Sequence, residues 1–380
     1  MAADYLHGVE MIYLENMNRP IEVLSASTIG LVGTADDADA TVFPLNTPVL
    51  INSETQIAKA GTTGTLKTAL QDIYDHGAAV VIVIRVEEDA DEAQEVANIV
   101  GQLDNDTNTY GGLKGLLFAE SVLGIRPRLL IAPEYSHKTG VGAELESVAI
   151  KLNAIAIVDG SENGFTSVVA EVKNYGPTLF VNCGIKKLGS DGNPVTRKAS
   201  AFVAGHIVRV DNLEGYWHSP SSRKMIGGII GTSEPIDHAI GSTTSKANLY
   251  NAQNVSVIVQ QQGGWFFFGN RLADGTMIPH QRIRYIVGDS ILYAHQELLD
   301  RNVTKGYVDG VKGRVNALLR RLVSREVISG GECWLDKELN VAAIGTAQVY
   351  WDYDLGFYDV AERMTFRQHI TDRYNEAIFS

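Results

Sequence analysis

The sequence predicts two kinds of domain in one chain. One is an α/β domain with a parallel sheet and helices on both faces, and the other is a mixed α+β domain carrying terminal β-strands for exchange. Apolar strands alternate with helical stripes between residues 28 and 182, which is typical of a parallel sheet. This alternation stops after Gly184, and period-two apolar patterns appear at both chain ends. A length of 380 residues is enough for two or three hydrophobic cores.

The first half of the chain predicts successive strand–helix units. Residues 28–33 and 80–86 are predicted strands, and the second is a nearly continuous apolar run, as expected for a strand covered on both faces. Leu66, Leu70 and Ile73 lie between them at helical spacing. The other predicted elements of this half are helices at 93–100, 113–121, 145–152 and 164–175, and strands at 129–132, 154–158 and 178–182.

The second half predicts a less regular order of elements. Residues 186–198 (KKLGSDGNPVTRK) have the composition of an exposed hairpin or loop. A helix is predicted over 199–210, and strands over 255–260 and 265–268. Two helical stripes follow, one formed by Ile291, Leu292, His295, Leu298 and Leu299, and one running from Val311 to Val323.

Both ends of the chain have the alternation of half-buried strands. The alternating residues are Val349, Trp351 and Tyr353, then Met364, Phe366 and Ile370, and near the N-terminus Val9, Met11 and Tyr13. Strands at chain ends can leave their own domain and pair with a neighbour's sheet. We therefore predict inter-subunit strand exchange at these residues, which indicates a building block rather than a self-contained catalyst.

These patterns divide the chain into four predicted segments. Pro20 and the polar residues before it have the character of a linker. The segments are an N-terminal strand-exchange arm and linker at 1–20, an α/β domain at 21–198, an α+β core domain at 199–347, and a C-terminal strand pair at 348–380.

Charge and hydropathy exclude two classes of partner. The formal net charge of −13 would repel a phosphate backbone, so we predict no nucleic-acid partner. No stretch of about 18 apolar residues occurs, so we predict no membrane insertion. The acidic excess is interpreted as a solubility feature, with a face that meets a basic or mixed partner as the alternative.

The sequence offers no recognisable constellation for catalysis. The GLVG segment at 30–33 lacks the glycine spacing of a dinucleotide-binding loop and is followed by acidic residues. The nine histidines show no metal-ligand spacing. We predict no catalytic, cofactor-binding or metal-binding residues, and a soluble α/β enzyme that uses the carboxyl edge of the sheet is kept as a remote alternative.

A basic cluster lies on or beside the apolar helix predicted at 311–323. Its members are Lys312, Arg314, Arg320, Arg321 and Arg325. Two interpretations stay open: a solvated polar helix face, or a docking surface for an acidic partner, since arginine is well suited to interface ion pairs.

Several stretches together carry a family resemblance. They are IGLVGTADDAD at 29–39, GTTGTLKTALQDIYDHGAAVVIVIRV at 61–86, LKGLLFAESVLGIRPRLLIAPEYS at 113–136, GHIVRVDNLEGYWHSPSSRKMIGGIIG at 205–231, and AERMTFRQHITDRY at 361–374. In this order, and over nearly the whole chain, the sequence resembles the contractile tail sheath family of phage tails and R-type bacteriocins. The last stretch is the most specific, because it lies at the C-terminal end where the family has it.

The resemblance implies a structural subunit that polymerises as a six-fold helical sheath around a tail tube. Contraction of the sheath would drive the tube through the target cell envelope. The implied partners are other copies of the chain, a tail tube protein, and baseplate and tail terminator proteins, and the implied location is the virion tail after assembly in the host cytoplasm. The α/β domain would be outermost, with the basic helix near the tube. A sheath-like component of another contractile injection system is the alternative.

Overall fold

A computed structural model describes residues 21–104, 109–189 and 191–375. In chain order the strands are β1 (Thr28–Thr34), β2 (Val49–Ile51), β3 (Val80–Val86), β4 (Leu103–Asp104), β5 (Thr109–Tyr110), β6 (Leu129–Ile131), β7 (Ile155–Asp159), β8 (Leu179–Val181), β9 (Gly184–Leu188), β10 (Pro194–Lys198), β11 (Lys224–Met225), β12 (Ile229–Thr232), β13 (Val257–Gln261), β14 (Gly264–Phe268), β15 (Cys333–Leu335) and β16 (Trp351–Tyr353).

The helices connect and cover these strands. They are α1 (Glu54–Ile57), α2 (Leu66–Tyr74), α3 (Glu92–Val100), α4 (Gly112–Gly115), α5 (Ala119–Leu123), α6 (Thr139–Leu152), α7 (Phe165–Val172), α8 (Ser200–Leu213), α9 (Lys246–Asn251), α10 (Ile278–His295), α11 (Lys305–Ser324) and α12 (Lys337–Ala342). None of the helices in the described ranges is long and apolar enough to span a bilayer.

A six-stranded sheet in the order β2-β3-β1-β6-β7-β8 forms the centre of the first half. β1 and β3 pair in parallel from Thr28↔Val80 to Thr34↔Val86, and β6, β7 and β8 continue the sheet in parallel. β2 is antiparallel to β3 at one edge. The predicted α/β domain with a largely parallel sheet is therefore confirmed.

Both faces of this sheet are covered, because alternate strand residues enter two different cores. Leu129 and Ile131 pack in one core together with α2 and α8, while Leu130 packs in the other with α4, α6 and α7. Helix α8 is buried along most of its length, from Ser200 to Val210. The boundary predicted at 198/199 therefore does not coincide with a division between hydrophobic cores.

Two helical predictions need correction. The helix expected over 113–121 consists of α4, a 3-10 turn at Leu116–Phe118, and α5. The stripe from Ile291 to Leu299 is wrong at Leu292 and Leu299, which are both 67% exposed, whereas Leu298 is buried and Ile291 packs against a core. The buried face of α10 is formed instead by Ile283, Ile286 and Val287, since the helix begins at Ile278, earlier than the stripe suggested.

A third core lies in the C-terminal part of the chain. It is formed by α10, α11, β15 and the region around β16, and it includes Ile21 and Tyr216 from earlier parts of the chain. The apolar positions of α11, among them Val315, Leu318 and Leu322, are buried as the second helical stripe predicted. This is the mixed α+β unit expected from the sequence.

Buried ion pairs attach α10 to α8 and to residues beside β6 and β7. Arg282 donates to Asp211 of α8, and both side chains are nearly inaccessible. Asp289 lies two helical turns further along α10. It accepts hydrogen bonds from Arg128 and from the side-chain amide of Asn153. Because removing one partner of a buried pair leaves an uncompensated charge, these contacts fix the position of α10.

Candidate interaction surfaces

The β15–β16 pair is an incomplete sheet at the surface of the third core. The strands are antiparallel, with Cys333 opposite Tyr353 and Leu335 opposite Trp351. Cys333 and Trp351 pack against the third core, so Trp334 and Asp352, which lie opposite each other, share the outward face. A two-stranded sheet is marginally stable by itself in water, and such a pair is completed by further strands or by packing.

One outer edge of this sheet is already blocked. The backbone amide of Cys333 donates to the Asn316 side chain of α11 at 2.9 Å, and its carbonyl accepts from the same side chain at 3.0 Å. These backbone groups therefore point away from β16. Between the two strands, the amide of Asp354 donates to the carbonyl of Glu332. Residues 352 and 354 therefore direct their backbone groups toward β15.

The edge of β16 that faces away from β15 is open. In an antiparallel ladder successive residues direct their backbone groups to opposite sides, so those of Trp351 and Tyr353 face outward. Neither residue's backbone has a hydrogen-bond partner among the described residues. The indole Nε1 of Trp351 is also buried without a partner in the described part of the chain. We call the outer side of residues 351–353 the open edge.

The last described part of the chain is an extended segment without pairing. Glu362 holds it to the body, since Arg271 donates to this carboxylate at 2.8 Å. Beyond that point, Met364, Phe366 and Ile370 are 73%, 88% and 96% exposed. Residues 363–375, which we call the C-terminal arm, contain no strand, so the strand predicted around 364–370 does not form within the subunit.

The predicted exchange residues thus fall into three groups. Trp351 and Tyr353 form a strand as expected, but that strand pairs with β15 of the same chain, and Val349 lies just before it. The C-terminal arm presents its alternating apolar residues to solvent. The N-terminal residues Val9, Met11 and Tyr13 lie outside the described residues.

The basic cluster does not form one surface. Arg314 is 8% exposed and lies 3.7 Å from the carboxylate of Glu297, so it belongs to the subunit's interior. Arg321 donates to the carbonyl of Ile21. Lys312 is half-buried, which leaves Arg320 and Arg325 as the exposed members of the cluster. Sequence spacing alone did not distinguish them, because residues 320 and 321 are adjacent yet point about 100° apart on a helix.

A cavity of about 1000 Å³ lies between the C-terminal segment at 358–362 and earlier residues in the ranges 217–223, 248–254 and 268–283. Both of its arginines are engaged in ion pairs, since Arg223 binds Glu214 and Arg271 binds Glu362. His280 donates to the carbonyl of Tyr358 at 3.0 Å and stacks on Phe357. Arg271 and His280 therefore hold the segment 357–362 in place. No nucleophile–base pair lines the cavity among the described residues.

The carboxyl edge of the parallel sheet, where an α/β enzyme would place its site, is occupied by internal hydrogen bonds. Asp159 at the end of β7 is buried and accepts from the hydroxyls of Ser136 and Ser200 at 2.8 and 2.6 Å. Burial raises the pKa of Asp159 to about 6. At Gly30, a Cβ would meet Leu130 at 2.8 Å, so the GLVG glycine provides for close packing of β1 rather than for a phosphate.

Three parts of the chain match phage tail sheath families. Residues 26–86 match the N-terminal region of domain III of the tail sheath protein Gp18, residues 108–271 match the phage tail sheath protein central domain, and residues 281–371 match the phage tail sheath C-terminal domain. The last match includes α11, β15, β16 and most of the C-terminal arm.

Similar proteins cover the chain almost completely. The tail sheath protein of Escherichia phage P2 is 32% identical, over 98% of this chain and 97% of its own length. A putative prophage major tail sheath protein of Pseudomonas aeruginosa (strain UCBPP-PA14) is 34% identical, over 97% of each chain.

Solved sheath structures have a similar fold. The helical sheath of the anti-feeding prophage in its contracted state has a TM-score of 0.73 at 13% identity, covering 97% of this chain and 99% of that chain. The sheath complex of an extracellular contractile injection system, PVC, in its contracted state has a TM-score of 0.71 at 16% identity, covering 98% and 99%. At these identities the likeness concerns the fold.

Proposed function

The chain belongs to the phage tail sheath protein family, and from this premise we propose that it polymerises around a tail tube by donating its C-terminal arm to a neighbouring subunit. It is a structural subunit of a contractile tail sheath and a component of the phage particle. Contraction of the assembled sheath drives the tube through the target cell envelope.

The exposed arm is the observation that supports this proposal best. Full burial of Met364, Phe366 and Ile370 would contribute roughly 1.5–3 kcal/mol each, and the unpaired backbone of the arm would gain about 0.5–1.5 kcal/mol per hydrogen bond. Ordering an extended segment costs about 1–2 kcal/mol per residue, so the sum is small for one arm. Many subunits acting together make such pairing stable in a polymer.

The open edge of β16 is the acceptor that matches this donor. It offers the backbone groups of Trp351 and Tyr353, next to the third core, where the apolar face of an incoming strand would be covered. Addition of a strand to an exposed sheet edge is a common mode of peptide recognition. The N-terminal strand at Val9, Met11 and Tyr13 is proposed as a second exchanged segment, with residues around Pro20 as its linker.

A tail tube contact is proposed for the exposed end of α11. Arg320 and Arg325 have no ion-pair partner in the described ranges, and on a chain with a net charge of −13 they give a local positive surface. Such a surface suits an acidic tube. Baseplate and tail terminator proteins are the further proposed partners, and the host cytoplasm is the proposed place of assembly.

Of the two alternative functions, one is supported by the fold and the other is not proposed. A sheath subunit of another contractile injection system is favoured by the fold it shares with such sheaths, and the same arm argument applies to it. We propose no catalytic role, because Asp159, Ser136 and Ser200 at the sheet edge satisfy one another.

Substitution along the arm tests the proposal. Replacing Met364, Phe366 and Ile370 together by serine should abolish rings and tubes in negative-stain images and leave the protein in the supernatant after ultracentrifugation. The matched control replaces Thr365, His369 and Thr371, which lie on the opposite side of the same extended segment, by serine and should assemble normally. Normal polymers from the first variant would contradict arm donation.

A further inference from the structure

The sheet formed by β15 and β16 is surrounded by acidic side chains. Residues 332–336 and 349–355 contain Glu332, Asp336, Asp352 and Asp354 and no lysine or arginine. Asp336 caps α12 by accepting from the amide of Leu339, and Asp354 accepts from the amide of Glu332. The carboxylate of Asp352, in the middle of β16, has no hydrogen-bond or ion-pair partner among the described residues.

The polar face of the C-terminal arm has the opposite charge. Met364, Phe366 and Ile370 lie on one side of an extended strand, and Arg363, Arg367 and His369 lie on the other. Arg367 is exposed, makes no ion pair within the described residues, and is central among these apolar positions. Arg363 directly follows Glu362, which is bound to the subunit's own Arg271.

These two charged faces meet if the arm adds to the open edge. The apolar face of the arm must turn toward the third core, beside Trp351 and Tyr353, to be buried. The alternation of β-strands then places the basic face of the arm on the outward side, which is the side of Asp352 and Trp334. Residues opposite each other on neighbouring strands have Cβ atoms about 4.5–5.5 Å apart, within reach of an arginine–carboxylate pair.

We propose that Asp352 receives Arg367 from the arm of a neighbouring subunit and so fixes the register of strand exchange. This inference rests on the proposed arm donation and adds a residue that determines its specificity. A slip of one residue would turn the apolar face to solvent, but a slip of two would keep it buried. The second kind of slip is excluded by charge, because it would place Thr365 or His369 beside Asp352 in place of Arg367. Trp334, which is 40% exposed beside Asp352, offers an aromatic face to the same guanidinium.

A charge-swap experiment tests this pairing. Asp352→Lys and Arg367→Glu should each raise the protein concentration needed for half-maximal polymerisation by at least about tenfold, because each places like charges side by side. The double variant D352K/R367E should return to within about threefold of the wild type. The mismatched double variant D352K/R363E should not be rescued, since Arg363 is the wrong partner.

Controls separate the pairing from misfolding and from arm donation itself. Glu87→Lys makes the same charge change at an exposed acid after β3 and should polymerise normally. Asp352→Asn, without charge reversal, shows by thermal unfolding whether the site tolerates substitution. If D352K polymerises normally, or if D352K/R367E is not rescued, while the apolar serine variant of the arm still fails, then the register proposal is wrong and arm donation stands. If the apolar serine variant polymerises, arm donation itself fails.

Discussion

Strands β3 and β16 were both predicted from the pattern of their apolar and aromatic residues, yet they differ in how completely the subunit pairs and buries them. β3 is paired on both sides, with β1 and β2, and residues 81–86 are buried. β16 is paired on one side, its Trp351 indole nitrogen lacks a partner in the described part of the chain, and Tyr353 is 40% exposed. The α/β unit satisfies its strands internally, whereas the C-terminal unit leaves bonding capacity for another molecule.

The largest expected effect compares a phenylalanine from each region. Phe180 on β8 is fully buried, so Phe180→Ala should lower the free energy of unfolding of the unassembled subunit by about 3–5 kcal/mol. Phe366 is 88% exposed, so Phe366→Ala should change that free energy by less than about 0.5 kcal/mol and reduce polymerisation instead.

Urea unfolding of the unassembled subunit and pelleting of polymers measure the two effects separately. The relevant unfolding transition is that of the α/β unit, because a chain with several cores need not unfold in one step. A large loss of subunit stability in Phe366→Ala would mean that the arm packs on its own subunit, and the contrast between the regions would then disappear.

The predictability of the two regions from sequence also differs. The five parallel strands of the α/β sheet were predicted nearly to the residue, as for β3 at Val80–Val86, because a strand buried on both faces is a long, uniform apolar signal. The antiparallel edge strand β2 was not predicted. Strand β16 was expected from the alternation of Trp351 and Tyr353, but its partner β15 was not. Cys333–Leu335 is too short to show a period, and its position depends on contacts with α11 through Asn316.

The interaction surfaces were predictable in composition but not in geometry. Alternation identified the arm at Met364–Phe366–Ile370, since this pattern needs no tertiary context. Sequence spacing gave no means of separating Arg320 from Arg314, because Arg314 is withdrawn by its position beside Glu297. Asp352 and Asp354 look equivalent in sequence, and only the structure shows that Asp354 accepts a hydrogen bond from the amide of Glu332.

The second expected effect is a loss of stability of the α/β unit as the pH falls. It depends on two neighbouring histidines that sequence reasoning did not place together. His76 and His206 are buried with ring centroids 6.2 Å apart. His206 Nε2 donates to the carbonyl of Pro220, and Nδ1 lacks a partner in the described residues. Burial lowers the pKa of each imidazole to about 4. Both are therefore neutral in the folded subunit at pH 5, whereas an unfolded histidine has a pKa near 6.5.

The sign of this effect follows from proton binding. Between about pH 6.5 and pH 4 the unfolded chain binds a proton at His206 that the folded chain does not, so stability falls as pH falls. From pH 7 to pH 5 the loss is roughly 2 kcal/mol for this one site. Burial raises the pKa of Asp159 to about 6, which acts in the opposite direction, because the folded state binds that proton first. The net pH dependence of the wild type is therefore smaller than the histidines alone would give.

Comparison with a variant isolates the histidine contribution. His206→Gln removes the site, and Asp159 is common to both proteins, so the stability difference between wild type and variant should shrink by roughly 2 kcal/mol between pH 7 and pH 5. Urea unfolding at the two pH values measures it. His369→Gln on the exposed arm is the matched control, because unfolding breaks no contact of that side chain. An equal stability difference for His206→Gln at both pH values would show that the imidazole is not held neutral by burial.

The smallest expected effect compares two adjacent residues of α11, one bonded within the subunit and one exposed. Arg321 donates to the carbonyl of Ile21, so Arg321→Glu should lower the thermal midpoint of the unassembled subunit. Arg320 is exposed and unpaired within the described chain, so Arg320→Glu should leave that midpoint unchanged.

If Arg320 faces the tube, its reversal should weaken binding to polymerised tail tube by about 1 kcal/mol, or roughly fivefold, in co-sedimentation. The difference should diminish at high salt, because exposed charges are screened. Unchanged binding at low salt would remove α11 from the tube interface and leave the arm as the supported assembly surface.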